Sequence, residues 1–402
     1  MNTDVIKFYD GKTVNAQAFG AYISEVAKTR ENKLITADIF TADKNVNDTF
    51  KNSTGNIYAV LPLLGDFSGV AQNLDGDTNL TEGTGVDTYY FGVTSYGRAL
   101  VGGEYDYANE IVGKNVDFRE HLAKRMGEKW VDVREDTLIS IIKGIYASTT
   151  DGADVFAEQH TLEINGSVEG TSLNDASQKA LGDKDFNGKG LVLTIMNSKI
   201  ANNLRNLKLL DYMKYTDENG LEKNTNLAQW GDKLVLVDDS ITTLTTSNDS
   251  YSLTSDVSLV TGKTYYTRSG SEGSYVYTAV ASPDVSDIAS YYEKTTTYTT
   301  RYITYGIGNG AFIRDENLPV EVPFERYRDP YKKGGKVDLI NRERRVLHPK
   351  GFSFLKDAVV KDSPTDAEFA NGANWGLAKS SDGTKYYPHQ LIPIVRIIST
   401  EK

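Results

Sequence analysis

Residues 191–215 read LVLTIMNSKIANNLRNLKLLDYMKY, and the way this run divides decides the fold. LVLTIM is short and almost wholly apolar, so it reads as a buried strand. From Asn197 onward the apolar residues Ile200, Leu204, Leu207, Leu210 and Met213 recur at helical spacing, which predicts one helix with these side chains inward. KLVLVDDSI at 233–241 is a second buried strand. Strand, helix and strand with unbroken aliphatic runs make a small α/β layer. SLNDASQKALG at 172–182 adds a short capped helix ahead of it, and the sheet resumes at TTRYITYGIGNGAFI, 299–313.

Between these pieces the chain changes character. Residues 243–297 contain YSLTSDVSLVTGKTYYTR and SYVYTAVASPDVSDIASYYEK, two hairpin-like halves joined by a glycine-serine turn. Alternating Tyr, Val and Thr predict a small β-module inserted into the sheet, with strands 233–241 and 298–305 as neighbours at its ends. Tyr265, Tyr266, Tyr275 and Tyr277 are its candidates for surface display, since a tyrosine can pack its ring and keep its hydroxyl wet. Uncharged aromatic surface suits weak binding, to glycans for example.

Upstream, Asp117 to Ser148 predicts one long helix, with Phe118, Leu122, Met126, Trp130, Val133, Leu138, Ile141, Ile142 and Ile145 as its stripe and Asn115 or Asp117 as its cap. Residues 52–113 hold eight acidic residues, one arginine (Arg98) and no lysine. Here VDTYYFGVTSYGRALVGG predicts a strand pair entered through the glycine-rich tip DGDTNLTEGTG, an extended hairpin that must lie on something else. An amphipathic helix is expected over Asn15 to Arg30, with Phe19, Tyr22, Ile23 and Val26 on one face. Residues 324–350 reverse the charge, with nine basic residues against four acidic ones.

Composition excludes several classes. The 402 residues carry a net charge of −11, which argues against a protein that grips nucleic-acid phosphates. Cysteine is absent, so there are no disulfides, thiolate metal sites or cysteine nucleophiles. No window has the apolar length of a membrane span, and the first residues lack a secretory pattern. His121, His160, His348 and His389 are scattered, and no zinc or catalytic constellation is expected from them. DGDTN at 75–79 lacks the glycine and glutamate of a calcium loop, GIGNG at 306–310 lacks the phosphate-loop spacing, and Asp238 and Asp239 point to opposite strand faces. We expect no catalytic, cofactor or metal residues, hence no enzyme.

SLNDASQKALGD, LTIMNSKIANNLRNLKLLDYMKY, LAQWGDKLVLVDDSI, YGIGNGAFI, VEVPFERYRDP and RRVLHPKGFSF follow the order seen in major capsid proteins of tailed bacteriophages, which the chain resembles most strongly from about 172 to 355. The resemblance implies an α+β fold shared with the floor of herpesvirus capsids and with encapsulins. It divides the chain into an N-terminal arm (1–56), an extended loop with flanking strands (57–113), a spine helix and peripheral domain (114–170), an axial domain (171–242 and 298–320) interrupted by the β-module (243–297), and a returning peripheral part (321–402). It implies a virion protein, assembled in the host bacterial cytoplasm into hexamers and pentamers of an icosahedral shell. Its partners would be other copies of itself, a separate scaffolding protein, a portal protein at one vertex, decoration proteins, and packaged double-stranded DNA held weakly and without sequence preference. No membrane is implied.

Under this resemblance each extended loop lies on a neighbouring copy. Arg98, Asp75, Asp77, Glu82, Asp87, Arg326, Arg328, Lys332, Lys333, Arg342, Arg344 and Arg345 then become candidates for contacts between copies, where complementary charge fixes register. The helix expected within fifteen residues of Met1 leaves no room for an internal scaffold. With no lysine between Lys51 and Lys114, the isopeptide weld of some relatives has no donor, and a non-covalent shell is expected. An encapsulin-like compartment and a phage tail or baseplate protein are the alternatives.

Overall fold

The structure is a computed structural model that describes residues 9–10, 13–14, 39–52, 57–66, 85–105, 118–182, 190–216, 222–256, 258–271, 274–315, 318–332, 335–359 and 362–400. The helix expected over residues 15–30, the spine-helix cap and the tip DGDTNLTEGTG up to residue 84 lie outside them.

Helices and strands alternate in a mixed α+β chain. The elements used below are helix α1 (Lys44–Asn52), strands β1 (Tyr58–Leu64) and β2 (Thr88–Tyr105), and helices α2 (Phe118–Ala147), α3 (Ala153–Gln159) and α4 (Ser172–Leu181). Then come β3 (Leu191–Met196), α5 (Ser198–Asn206), β4 (Leu210–Thr216), β5 (Glu222–Trp230), β6 (Lys233–Val237), β7 (Leu244–Leu253), β8 (Tyr266–Ser269) and β9 (Val276–Ala279). The last are β10 (Tyr292–Gly308), β11 (Phe312–Asp315), β12 (Phe324–Asp329), β13 (Lys336–Pro349) and β14 (Ile394–Thr400).

The opening run divides as strand, short helix, strand. The Asn197 side chain accepts from the Lys199 N–H at 3.0 Å and caps α5, which buries Ile200, Ala201 and Leu204. The helix expected through Tyr215 stops at Asn206. Lys208 turns left-handed (φ 58), Leu209 N–H bonds back to the Leu204 carbonyl at 2.9 Å, and the chain leaves as β4, antiparallel to β5. Leu207, counted among the inward positions, is 42% exposed. The spacing of Leu204, Leu207 and Leu210 matched a helix by accident, and sheet pairing prevailed.

One sheet runs β9–β8–β10–β3–β6–β5–β4, with β7 and β14 also joined to β10. β3 lies between a parallel partner, β6, and an antiparallel one, β10. With both sides paired, β3 can be almost wholly apolar. The last strand, β14, pairs along β10 from Arg301–Thr400 to Ile307–Ile394. The chain end therefore forms a strand of this sheet. Burial of Ile394, Val395, Ile397 and Ile398 explains the placement.

A second sheet holds the hairpin, formed by β1 and the first half of β2. VDTYYFGVTSYGRALVGG, expected as a strand pair, is instead, from Thr88 on, part of one continuous strand. The 18 residues of β2 change partner midway, pairing with β1 from Thr88 to Thr94 and with β13 from Ser95 to Tyr105. β12 lies beside β13, and β11 beyond its far half. The 30-residue helix α2 runs between the sheets. Its first turns bury Met126 and Trp130 against Val337 and Leu339, and its last turns bury Ile141, Ile142 and Ile145 in a core shared with Leu193, Ile195 and Ile307. Where α2 meets the 366–375 segment, a Cβ on Gly144 would stand 2.0 Å from the Phe369 carbonyl oxygen, so only glycine fits.

Candidate assembly surfaces

The hairpin has two unlike faces. Strand alternation turns Ala59, Leu61 and Leu63 toward the core and leaves Val60 and Leu64 59% and 67% exposed. Tyr90, opposite Pro62 on β2, is 42% exposed. An exposed apolar stripe on a strand pair is a feature of binding surfaces.

The acidic hairpin and the basic segment expected to meet between copies are already adjacent within one chain. Arg342, Glu343, Arg344 and Arg345 of β13 face Ala99, Arg98, Gly97 and Tyr96 of β2. Arg98 reaches Asp366 at 2.8 Å and the Pro364 carbonyl at 2.8 Å. Arg342 bonds Glu325 at 2.8 Å, Arg344 the Ser95 hydroxyl at 2.9 Å, and Arg345 Glu343 at 2.7 Å. Asp87 is paired with Lys385 at 3.1 Å. Arg326 and Arg328 are exposed on the edge strand β12, and Lys332 is exposed just beyond it. Asp75, Asp77, Glu82 and Lys333 lie outside the described residues. The structure thus brings the four arginines at 98, 342, 344 and 345 together for in-chain contacts, while Arg326, Arg328 and Lys332 are exposed, Lys332 lying 3.6 Å from Asp329.

The 243–297 module stands on a ribbon. β7 pairs with β10 through ten residues, from Leu244–Arg301 to Leu253–Tyr292, and nearly every β7 side chain is exposed. At its end Tyr265, Ile288 and Tyr291 form a buried cluster with Leu259 and Val280, separate from the main cores. Tyr265 was a display candidate, but it is 1% exposed, donating its hydroxyl to Asp256 at 2.8 Å. Lys263 joins Asp256 at 2.7 Å to Glu293 at 2.9 Å, and these hydrogen bonds push its pKa well up.

Tyr266 and Tyr277 do share an outer face, together with residues that sequence reading passed over. Tyr251 stacks on Tyr277 at 4.0 Å and 2°, while Tyr266 and Tyr292 meet this pair edge-on. Arg268 lies over Tyr275 at 4.1 Å and Tyr292 at 5.0 Å. Arg268 was findable, since it sits two residues from Tyr266 on one strand face.

Two of the scattered histidines touch. His160 Nδ1 lies 2.7 Å from the Ile394 carbonyl, so it donates there, and Nε2 accepts from His389 Nδ1 at 3.2 Å. Burial lowers the His160 pKa to about 3 and the His348 pKa to about 4. Among the described residues no group of three metal-ligating side chains gathers. Asp239 accepts from the Ser198 N–H at 2.8 Å and Asp238 from the Ser240 N–H at 2.7 Å, so both carboxylates hold backbone turns.

Solved structures can be aligned with most of the chain. The capsid of Ralstonia phage GP4 is 8% identical with a TM-score of 0.46, covering 90% of this chain and 87% of that one. The cyanophage Pam1 capsid asymmetric unit is 8% identical with a TM-score of 0.44, covering 91% and 89%. No family description matches the chain. In sequence, 77 residues are 44% identical to the major capsid protein of Bacillus phage SPP1, covering 19% of this chain and 23% of that protein. The match therefore spans less than a quarter of the relative's length.

Proposed function

We propose that this chain is a major capsid protein of a tailed bacteriophage, a structural subunit rather than an enzyme. Copies of it would form the hexamers and pentamers of an icosahedral shell around double-stranded DNA. The observation that carries this reading is the stretch 44% identical to a phage major capsid protein. The exposed stripe of Val60, Leu64 and Tyr90 supports it, because an apolar face gains stability when a second copy covers it. Obligate contacts of this kind bury more than about 2,000 Å².

In this reading the acidic hairpin tip approaches Arg326, Arg328, Lys332 and Lys333 of a neighbour. Scaffolding, portal and decoration proteins complete the set of partners in the host cytoplasm, and the mature shell is non-covalent. The experiment is electron microscopy and sedimentation of particles from cells that co-express the chain with its scaffolding protein, beside a Val60→Ser, Leu64→Ser variant made in the same way. Closed shells from the parent and folded, unassembled subunits from the variant are expected. Tubes or single particles from the parent would refute the shell, and normal shells from the variant would remove the hairpin from the contact.

A further inference from the structure

The tyrosines of the 243–297 module divide between two sides of its sheet. Residues opposed across antiparallel strands share a face. Tyr277 of β9 stands opposite Arg268 of β8, and Tyr266 of β8 opposite Tyr292 of β10. Tyr251 of β7 lies two residues before Leu253, which is the other partner of Tyr292. These side chains therefore share one face. Tyr265 and Tyr291, each one residue earlier than a member of that face, are buried with Ile288 as the module's own core.

The two sets differ in how their polar atoms are used. The buried hydroxyls are bonded, Tyr265 donating to Asp256 at 2.8 Å and Tyr291 accepting from the Asp284 N–H at 3.1 Å. The hydroxyls of Tyr251, Tyr266, Tyr275, Tyr277 and Tyr292 bond to no other described residue. Lys263 and Lys294 are paired, at 2.7 Å to Asp256 and 2.7 Å to Asp249. Arg268 is exposed and has no carboxylate partner among the described residues. Its guanidinium lies over Tyr275 at 4.1 Å and Tyr292 at 5.0 Å, which fixes its plane and leaves its N–H groups unused. Tyr275 is 38% exposed, and among the described residues only Arg268 stacks on it.

An uncovered aromatic ring, a donor fork and hydroxyls that both donate and accept call for a ligand with an apolar face and a hydroxyl rim. A pyranose sugar has both. Charge separates neutral from acidic sugars, since residues 243–297 hold six acidic residues against three basic ones and repel an anion.

We propose that this face binds a neutral saccharide, with one sugar ring on Tyr275 and its hydroxyls held by Arg268 and the neighbouring tyrosine hydroxyls. The face is open, so a single copy binds weakly, with Kd on the order of 1 mM. The proposal concerns the module and does not depend on the capsid reading.

The test is native electrophoresis of the full chain through gels cast with dextran, mannan or galactan, beside a plain gel and one cast with acidic alginate. Retardation by at least one of the neutral polysaccharides is expected. Tyr275→Ala and Arg268→Ala should each weaken it roughly three- to tenfold. Both side chains are exposed, so the variants should melt with the parent. Tyr298→Ala removes a tyrosine that is 71% exposed on the ribbon, outside the cluster, and should migrate as the parent does. Free migration in all three neutral gels overturns the proposal. So does retardation in alginate alone, or variants at 275 and 268 that behave like Tyr298→Ala.

Discussion

Gly144 shows how little freedom a single position can have. It sits where the α2 backbone touches the segment that carries Trp375, and an added methyl would collide with the Phe369 carbonyl at 2.0 Å and the Trp375 indole nitrogen at 2.6 Å. Because the Trp375 N–H also donates to that carbonyl at 2.7 Å, neither group can retreat without breaking the bond. Gly144→Ala should cost about 2–3 kcal/mol, as overpacking does, and lower the urea midpoint with an unchanged slope. An unshifted midpoint would mean that the contact yields.

His348 makes a prediction of pH. It is 1% exposed, stacked near Phe91, with Nε2 donating to the Phe352 carbonyl at 2.8 Å. Burial lowers its pKa from 6.5 to about 4, so between these values the unfolded chain takes up a proton that the folded ring refuses. Its contribution to stability is complete above pH 6.5 and falls progressively as the pH drops toward 4. His348→Gln can keep the donated bond without titrating. Denaturant curves should show a shallower loss from pH 7 to pH 5 in this variant than in the parent, and parallel losses would exclude His348 as the cause.

At the scale of elements, β2 changes partner at the boundary between Thr94 and Ser95. Its first half presents the hairpin outward and its second half fastens the hairpin to β13. Charge reversal on β12 should then spare the fold, because Arg326, Arg328 and Lys332 are exposed and an exposed ion pair such as Lys332–Asp329 contributes little. A quadruple Arg326→Glu, Arg328→Glu, Lys332→Glu, Lys333→Glu variant is expected to melt near the parent temperature yet fail to sediment as shells. Normal shells would show that charge pairing does not guide the neighbours.

The elements were legible in unequal measure. Long stripes read correctly in α2 and β3, which repeat their pattern over several turns or along a whole apolar run. The buried strand expected over 233–241 instead ends at Val237 as the half-buried β6 and gives way to a turn. The region after Asn206 did not read correctly, because leucines at 204, 207 and 210 satisfy a helix as well as a reversal followed by a strand. Helix α1 was passed over, being short and polar. The charge of β13 was visible, but its in-chain pairing with β2 was not, since antiparallel partners more than 230 residues apart leave no local trace. Tyr265 could not be told from Tyr266 by composition, as adjacent strand residues take opposite faces and only the fold says which face is covered.

For the whole molecule, the module should be removable. Its buried cluster does not merge with the other cores, and Thr245 and Thr300 are paired across the ribbon. Replacing residues 246–299 by Asn-Gly should close the ribbon with a tight turn and leave a soluble chain with both sheets intact. Inclusion bodies, or loss of the parent far-UV signal beyond that of the deleted strands, would place the module in the folding core.

The ribbon has a mechanical meaning as well. β10 is one unbroken strand that begins beneath the tyrosine face and ends wedged between β3 and β14. A load that pulls the module outward along the ribbon therefore stresses those interstrand bonds in shear, all at once, instead of opening them one by one like a zip. A tug at Tyr292 therefore runs along one continuous strand to Thr304, which is paired with Met196.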